Sequence, residues 1–206
     1  MHRFLILSLL LFISCGTTYK INDVQQHEKV EQQIQNPYFN EIGKEYAYRF
    51  KITFLKNEMK GNFVVKKMDE NTHRVVMMSD FGNTLFDLSL TKNDYILHYA
   101  MPDLNKKMVV RTLAEDLQTI LMNQYFIEEQ LLSVNQKILK SSEISLVYPI
   151  QEEIYYTELF RLKNNKIKTI NVIEDDKTSS PEKIFIRHNH FNLSIELLKA
   201  DSFLEE

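Results

Sequence analysis

His188 and His190, separated by one residue, are the only close pair of histidines in the sequence. On an extended segment alternate residues project to the same side, as two ligands of one ion would. A zinc site needs a third or fourth ligand, and the single cysteine stands far away at position 15. The pair therefore reads as a polar turn, and no metal is expected. Glu152-Glu153 and Asp175-Asp176 are adjacent carboxylate pairs between apolar runs, where solvated turns account for them. Ser, Asp and His are all present, yet there is no Gly-x-Ser-x-Gly elbow and no phosphate-cradling glycine loop. Nothing in this pattern demands an enzyme, so neither catalytic residues nor a cofactor are expected.

The residue whose setting does imply chemistry is Cys15. A short basic region with Arg3 is followed by an uninterrupted apolar run over 4–13, then by Ser14-Cys15-Gly16, and the chain then turns polar. That order is a secretory signal over 1–14. A membrane-spanning helix needs about 20 apolar residues, so the run exports the chain without remaining as a span. With its small neighbours Ser14 and Gly16, the cysteine resembles a bacterial lipobox, although Phe12 stands where Leu is more usual. The resemblance implies cleavage before Cys15 and lipidation of its sulfur. Several acyl chains, at about 0.8 kcal/mol per buried CH2, anchor a domain durably. Gly16 rather than Asp after the cysteine implies outer-membrane sorting, with the domain more naturally on the periplasmic face.

With its cysteine committed to lipid, the domain has no disulfide and must be held by a core. A hydrophobic content of 44% is enough to build one. A net charge of −3 without a dense basic block argues against nucleic acid, and a monomer is expected. Residues 15–42 form a polar tether in this reading, rich in Gln, Glu and Lys, with a short helix as an option within it; residues 43–206 form the domain.

From Glu45 onward the pattern alternates strictly: Tyr46, Tyr48, Phe50, Ile52 and Phe54 share one parity. A period of two means one buried and one wet face. Further strands are expected at 61–68, 72–79, 84–90 and 95–100, with turn-forming residues between them. Between Lys106 and Asn123 the period lengthens, and Met108, Val109, Leu113, Leu117, Ile120 and Leu121 predict an amphipathic helix capped by Asp103 or Asn105, with Glu115, Asp116 and Gln118 among the intervening polar positions. A weaker helical pattern runs through Ile127, Leu131, Leu132, Ile138 and Leu139. Alternation returns at 143–148, 154–162, 167–173, 183–187 and 192–198. About ten strands interrupted by one or two helices give an α+β class.

That order of elements resembles the LolA/LolB-like outer-membrane lipoprotein family. The closest stretch is Val75-Val-Met-Met-Ser-Asp-Phe-Gly-Asn-Thr-Leu-Phe-Asp-Leu88, similar to a segment of uncharacterised LolB-like lipoproteins. The resemblance implies an incomplete half β-barrel, a curved antiparallel sheet whose mouth is covered by the helices, with an apolar cavity for acyl chains. The residues expected to line it are Phe50, Ile52, Phe54, Phe63, Val65, Phe86, Leu88, Leu97, Ile154, Tyr156 and Phe160, faced by Leu113, Leu117 and Leu121 from the helix. The same residues would equally serve as a packed core. Phe81, in the Phe81-Gly82 turn, could project toward a membrane or partner, or tuck over the sheet edge. Met77, Met78, Met101, Met108 and Met122 could give an adaptable lining or fill an irregular core.

The leading functional expectation is a lipid-anchored envelope protein that binds an acyl chain or a lipidated protein, in lipid or lipoprotein trafficking. The main alternative is a solid-core lipoprotein that docks a protein complex. A hydrolase with a site outside known motifs is the weaker third.

Overall fold

A computed structural model describes residues 24–164, 166–175 and 177–200. The signal segment, Cys15, and thus the expected lipid anchor, lie outside the described residues. The alternating segments become β2 (Glu45–Phe54), β3 (Asn57–Lys67), β4 (His73–Ser79), β5 (Thr84–Leu90) and β6 (Tyr95–Ala100), a meander of hairpins. After helix α1 (Lys107–Leu121) a second meander runs through β7 (Gln124–Leu132), β8 (Gln136–Lys140), β9 (Ile144–Pro149), β10 (Glu158–Lys163), β11 (Lys166–Glu174), β12 (Lys183–His188) and β13 (Leu193–Lys199). β13 pairs antiparallel with β2 and joins the meanders, while β1 (Gln26–Gln35) adds to the far edge on β7. The result is one sheet of 13 strands in the order β1-β7-β8-β9-β10-β11-β12-β13-β2-β3-β4-β5-β6. It does not close, because β1 and β6 stand at opposite ends of that order.

Among the described residues the sheet has 13 strands where about ten were expected, and there is one helix, within the expected one or two. The second helical pattern is the hairpin β7–β8, closed by Ser133, whose Oγ accepts the Gln136 N–H at 3.2 Å. Ile127 and Leu131, four apart, fit both periods, and the β-favouring Tyr125-Phe126-Ile127 at its start decides for strand. The second difference is β1, which occupies residues expected to be tether. Its Gln-, Glu- and Lys-rich composition is that of an exposed edge strand, which blunts further pairing. Val30 and Ile34 pack against the core from it, and just beyond it Tyr38 and Phe39 are buried.

Two local departures have clear causes. The helix begins without side-chain capping, with Lys106 at the cap position instead of Asp103 or Asn105. β10 starts at Glu158 rather than at 154, because the Glu152 carboxylate accepts the backbone N–H groups of Glu153, Ile154 and Tyr155 at 3.0–3.3 Å and folds that stretch into a turn.

Inside, buried parity follows the pleat. Tyr46, Tyr48 and Phe50 of β2 face Val65, Phe63 and Gly61 of β3. Gly61 is required there, since a Cβ would lie 1.9 Å from the Met78 carbonyl oxygen and 2.9 Å from the Phe50 ring. The helix packs on β5 and β6 and is also bonded to side chains of β10 and β12, five or more places away in the sheet order. The sheet therefore curves around it.

Candidate functional site

Helix α1 buries Val110, Leu113, Ala114, Leu117, Ile120 and Leu121 against the inner face of the sheet. Spacings of three and four put these on one stripe. Leu113, Leu117 and Leu121 join Phe50, Phe63, Val65, Phe86, Leu88 and Tyr156 in a single buried cluster, with Ile52 and Leu97 partly buried against it. Three of the expected lining residues stand elsewhere. Phe54 is 45% exposed at the end of β2, and Ile154 is 60% exposed in the turn held by Glu152. Phe160 is buried with Ile138, Val147 and Ile167 in a separate cluster. The late start of β10 sets a parity that sends Leu159 to the main core and Phe160 to the other face. Of the methionines, Met77 is buried, Met101 and Met122 pack partly against the core, and Met108 is exposed.

At the C-terminal end of the helix the apolar core gives way to a buried polar layer. Asn36 donates to the carbonyls of Ile120 and Met122, both at 2.9 Å, groups that a helix end otherwise leaves without a partner. Its Oδ1 accepts from the Tyr156 hydroxyl at 3.0 Å. Tyr125 Oη lies 3.1 Å from Tyr156 Oη and donates to the Thr119 carbonyl at 3.0 Å. Tyr38 donates to the Tyr156 carbonyl at 3.1 Å, and its ring meets the Tyr156 ring edge-on at 5.2 Å. Burial raises the hydroxyls of Tyr38, Tyr125 and Tyr156 far above the usual tyrosine range, so they act as neutral hydrogen-bonding groups.

The second polar feature sits mid-helix. Asp116 lies on the inner stripe, three residues from Leu113 and four from Ile120, and its side chain is 0% exposed. Its Oδ2 is 2.7 Å from His188 Nε2 and its Oδ1 accepts from Arg161 Nη2 at 3.2 Å. Arg161 Nη1 donates to Glu115 Oε2 at 2.7 Å. Burial pushes the Asp116 carboxyl above the usual carboxylate range, and His188 and then Arg161 pull against that shift. The Phe191 ring lies over His188, centroids 4.4 Å apart. His188 and His190 therefore do not converge: His188 turns inward to Asp116, whereas His190 stands beside Lys168 at 3.3 Å. By sequence pattern alone Asp116 falls among the intervening polar positions of the helix, and His188 in a polar turn. The one available signal was that Asp116 shares the stripe of Leu113, Leu117 and Ile120.

Two polar-lined clefts flank the helix. One, of about 330 Å3, lies by its C-terminal end and includes Lys67, Glu70, His73 and Gln118. The other, of about 450 Å3, runs between the helix and β9–β10 and includes Lys92, Glu115, Glu143, Arg161 and Lys163. At one end of the sheet the hairpin tips are apolar and exposed. Phe81 is 92% exposed in the β4–β5 turn, whose Gly82 has φ +81°. Leu55 of the β2–β3 tip is hydrogen-bonded to Asn192 of the β12–β13 tip at 2.9 Å, and Phe191 is exposed beside it. Gly61 opposite Ser79 puts the Phe81 turn at that same end.

No protein-family model matches the chain, and no curated protein matches it. Among solved structures it is similar to a LolA superfamily protein from Nitrosomonas europaea, at 9% sequence identity and a TM-score of 0.50, over 81% of this chain and 87% of that one. The fold is thus LolA-like: an unclosed, curved antiparallel sheet with a helix on its inner face.

Proposed function

We propose that this protein is a lipoprotein of the bacterial envelope, anchored by acyl chains on Cys15 and facing the periplasm from the outer membrane. Its sheet and helix take up an acyl chain, from a lipid or a lipidated protein, during envelope lipid or lipoprotein trafficking. One observation carries the proposal: among the described residues one amphipathic helix covers the apolar inner face of an unclosed sheet. Such a face gains about 25 cal/mol per Å2 when apolar surface replaces water, less the cost of ordering the ligand. An acyl chain can take the place of the helix because both offer the sheet the same apolar contact. The exposed Phe81, Leu55 and Phe191 tips give the domain a surface suited to touching a membrane or a lipidated partner.

The described core also favours a second reading. Phe63, Val65, Leu88, Tyr125 and Tyr156 are all 0% exposed, as in a domain whose interior is permanently filled and whose outer surface docks a protein. Native mass spectrometry of the Cys15→Ser chain separates the two. Acyl uptake predicts lipid carried through purification and lost on Phe86→Asp in protein that retains its β-sheet circular dichroism. Consistent absence of lipid, and of adducts with added palmitate, supports the docking role instead.

A further inference from the structure

Asp116 is the charged residue among the buried ones of the helix, and what it meets on the sheet is more than a single counter-charge. Arg161, Thr169 and His188 stand in one row across β10, β11 and β12, Arg161 opposite Thr169 and Thr169 opposite His188. Asn171 follows two residues along β11. Thr169 and Asn171 are both 0% exposed, and Thr169 Oγ1, Asn171 Oδ1 and Arg161 Nε are buried without hydrogen-bond partners. Buried polar atoms are as a rule paired, and an unpaired cluster calls for a partner such as an ordered water or a ligand. A buried ion cluster is likewise a poor source of stability, since apolar residues of similar volume do as well or better. Arg161 is the member that reaches outward: its side chain is 21% exposed and lines the 450 Å3 cleft beside the helix. A planar guanidinium donates in a fork matched to a carboxylate or a phosphate, and an imidazole adjoining it supplies a further donor.

We propose that Arg161 and His188, with the spare hydroxyl of Thr169 between them, form an anion site for the oxyanion head of an acyl ligand, and that Asp116 is its built-in occupant. The proposal rests on acyl binding under the helix and names the class of ligand: a single-chain amphiphile ending in a carboxylate or a phosphate. When the helix is in place, the Asp116 carboxylate takes Arg161 Nη2 and His188 Nε2 and leaves Arg161 Nε and the Thr169 hydroxyl unpaired. When an acyl chain displaces the helix, Asp116 leaves with it, and the ligand head takes over Arg161 and His188 while its chain runs along the apolar inner face. The carboxylate thus competes with the ligand for the same two donors, and it couples occupancy of the polar site to helix position.

The test is displacement of a fluorescent acyl probe from the Cys15→Ser chain by three 16-carbon ligands: palmitate, hexadecyl phosphate and hexadecanol. At least one of the two anions is expected to bind about tenfold or more tightly than the alcohol, as a charge-assisted pair implies. Which of them leads assigns the site to a carboxylate or a phosphate head. Arg161→Met brings the three affinities together, and Asp116→Asn, which removes the competing charge and little volume, tightens the preferred anion about tenfold. Equal affinity for all three ligands overturns the anion site while leaving acyl binding intact. If none of the three displaces the probe, or the chain does not bind it, both the anion site and acyl binding are overturned.

Discussion

The side-chain amide of Asn36 donates to the carbonyl of Ile120 across 84 positions of sequence at 2.9 Å, so the segment after the first strand caps the end of the one helix. Two of the helix's terminal carbonyls depend on this residue. Asn36→Ala leaves both carbonyls without their donor in a buried setting and removes one acceptor of the Tyr156 hydroxyl. The expected cost is about 1–3 kcal/mol, read as a lower midpoint in urea unfolding. Retained stability would show that the helix end is held by its apolar contacts alone.

Asp116 and His188 are coupled in a way a double-mutant cycle can measure. Asp116→Ala strands the Arg161 and His188 donors and is expected to cost about 3 kcal/mol. His188→Leu is expected to cost less, because Arg161 still holds the carboxylate. The double variant should fall short of the sum by about 1 kcal/mol or more, the signature of direct interaction. Simple additivity would separate the two residues energetically despite their 2.7 Å contact.

Acid sensitivity should appear in two windows. His73 is buried with Nε2 3.0 Å from the Phe39 carbonyl oxygen, and burial holds its pKa below 6.5. The unfolded chain therefore binds the proton first, and stability present above pH 6.5 declines as the pH drops through the folded value. Glu152 is held down to about 2 from 4.5, chiefly by the Ile154 N–H, with Lys177 next. Its contribution is complete above pH 4.5 and is lost between there and about 2. Thermal melts across this range should show His73→Gln flattening the upper limb and Glu152→Gln the lower. Unchanged limbs would contradict these assignments.

Gly61→Ala tests the packing of β2 on β3. Its Cβ would collide with the Met78 carbonyl and the Phe50 ring, so a loss of about 2–3 kcal/mol is expected. A neutral substitution would mean that the β4 backbone at Met78 shifts, as well as the Phe50 ring.

Phe81→Ser separates stability from surface contact. The ring is 92% exposed, so the melting curve should move by less than about 0.5 kcal/mol. Binding of the Cys15→Ser chain to phosphatidylglycerol-containing vesicles in a flotation assay should fall. Equal flotation of both chains would remove the tip from the membrane-facing role.

The strands with strict alternation, such as Tyr46 to Phe54, were legible because one face is wet and the other dry. The helix was legible because Leu113, Leu117 and Leu121 repeat at its period. β1 was not: its residues are polar on nearly every position, and only pairing with β7 makes them a strand. Phe160 was misassigned because a carboxylate, Glu152, reshaped the turn before it, a contact that parity does not encode. Asp116 reads as one of the intervening polar positions, because its polarity outweighs its place on the stripe of Leu113, Leu117 and Ile120. Its partners Arg161 and His188 are 45 and 72 residues away and become visible as partners only once the sheet is wound.

Hydrogen exchange of the Cys15→Ser chain, with and without palmitate, tests most directly whether α1 is a movable cover. Acyl uptake predicts that the amides of Lys107–Leu121 exchange faster when palmitate is bound, while those of β2 to β5 stay protected. Unchanged exchange in the helix at saturating palmitate, or equal protection of helix and sheet, would contradict it.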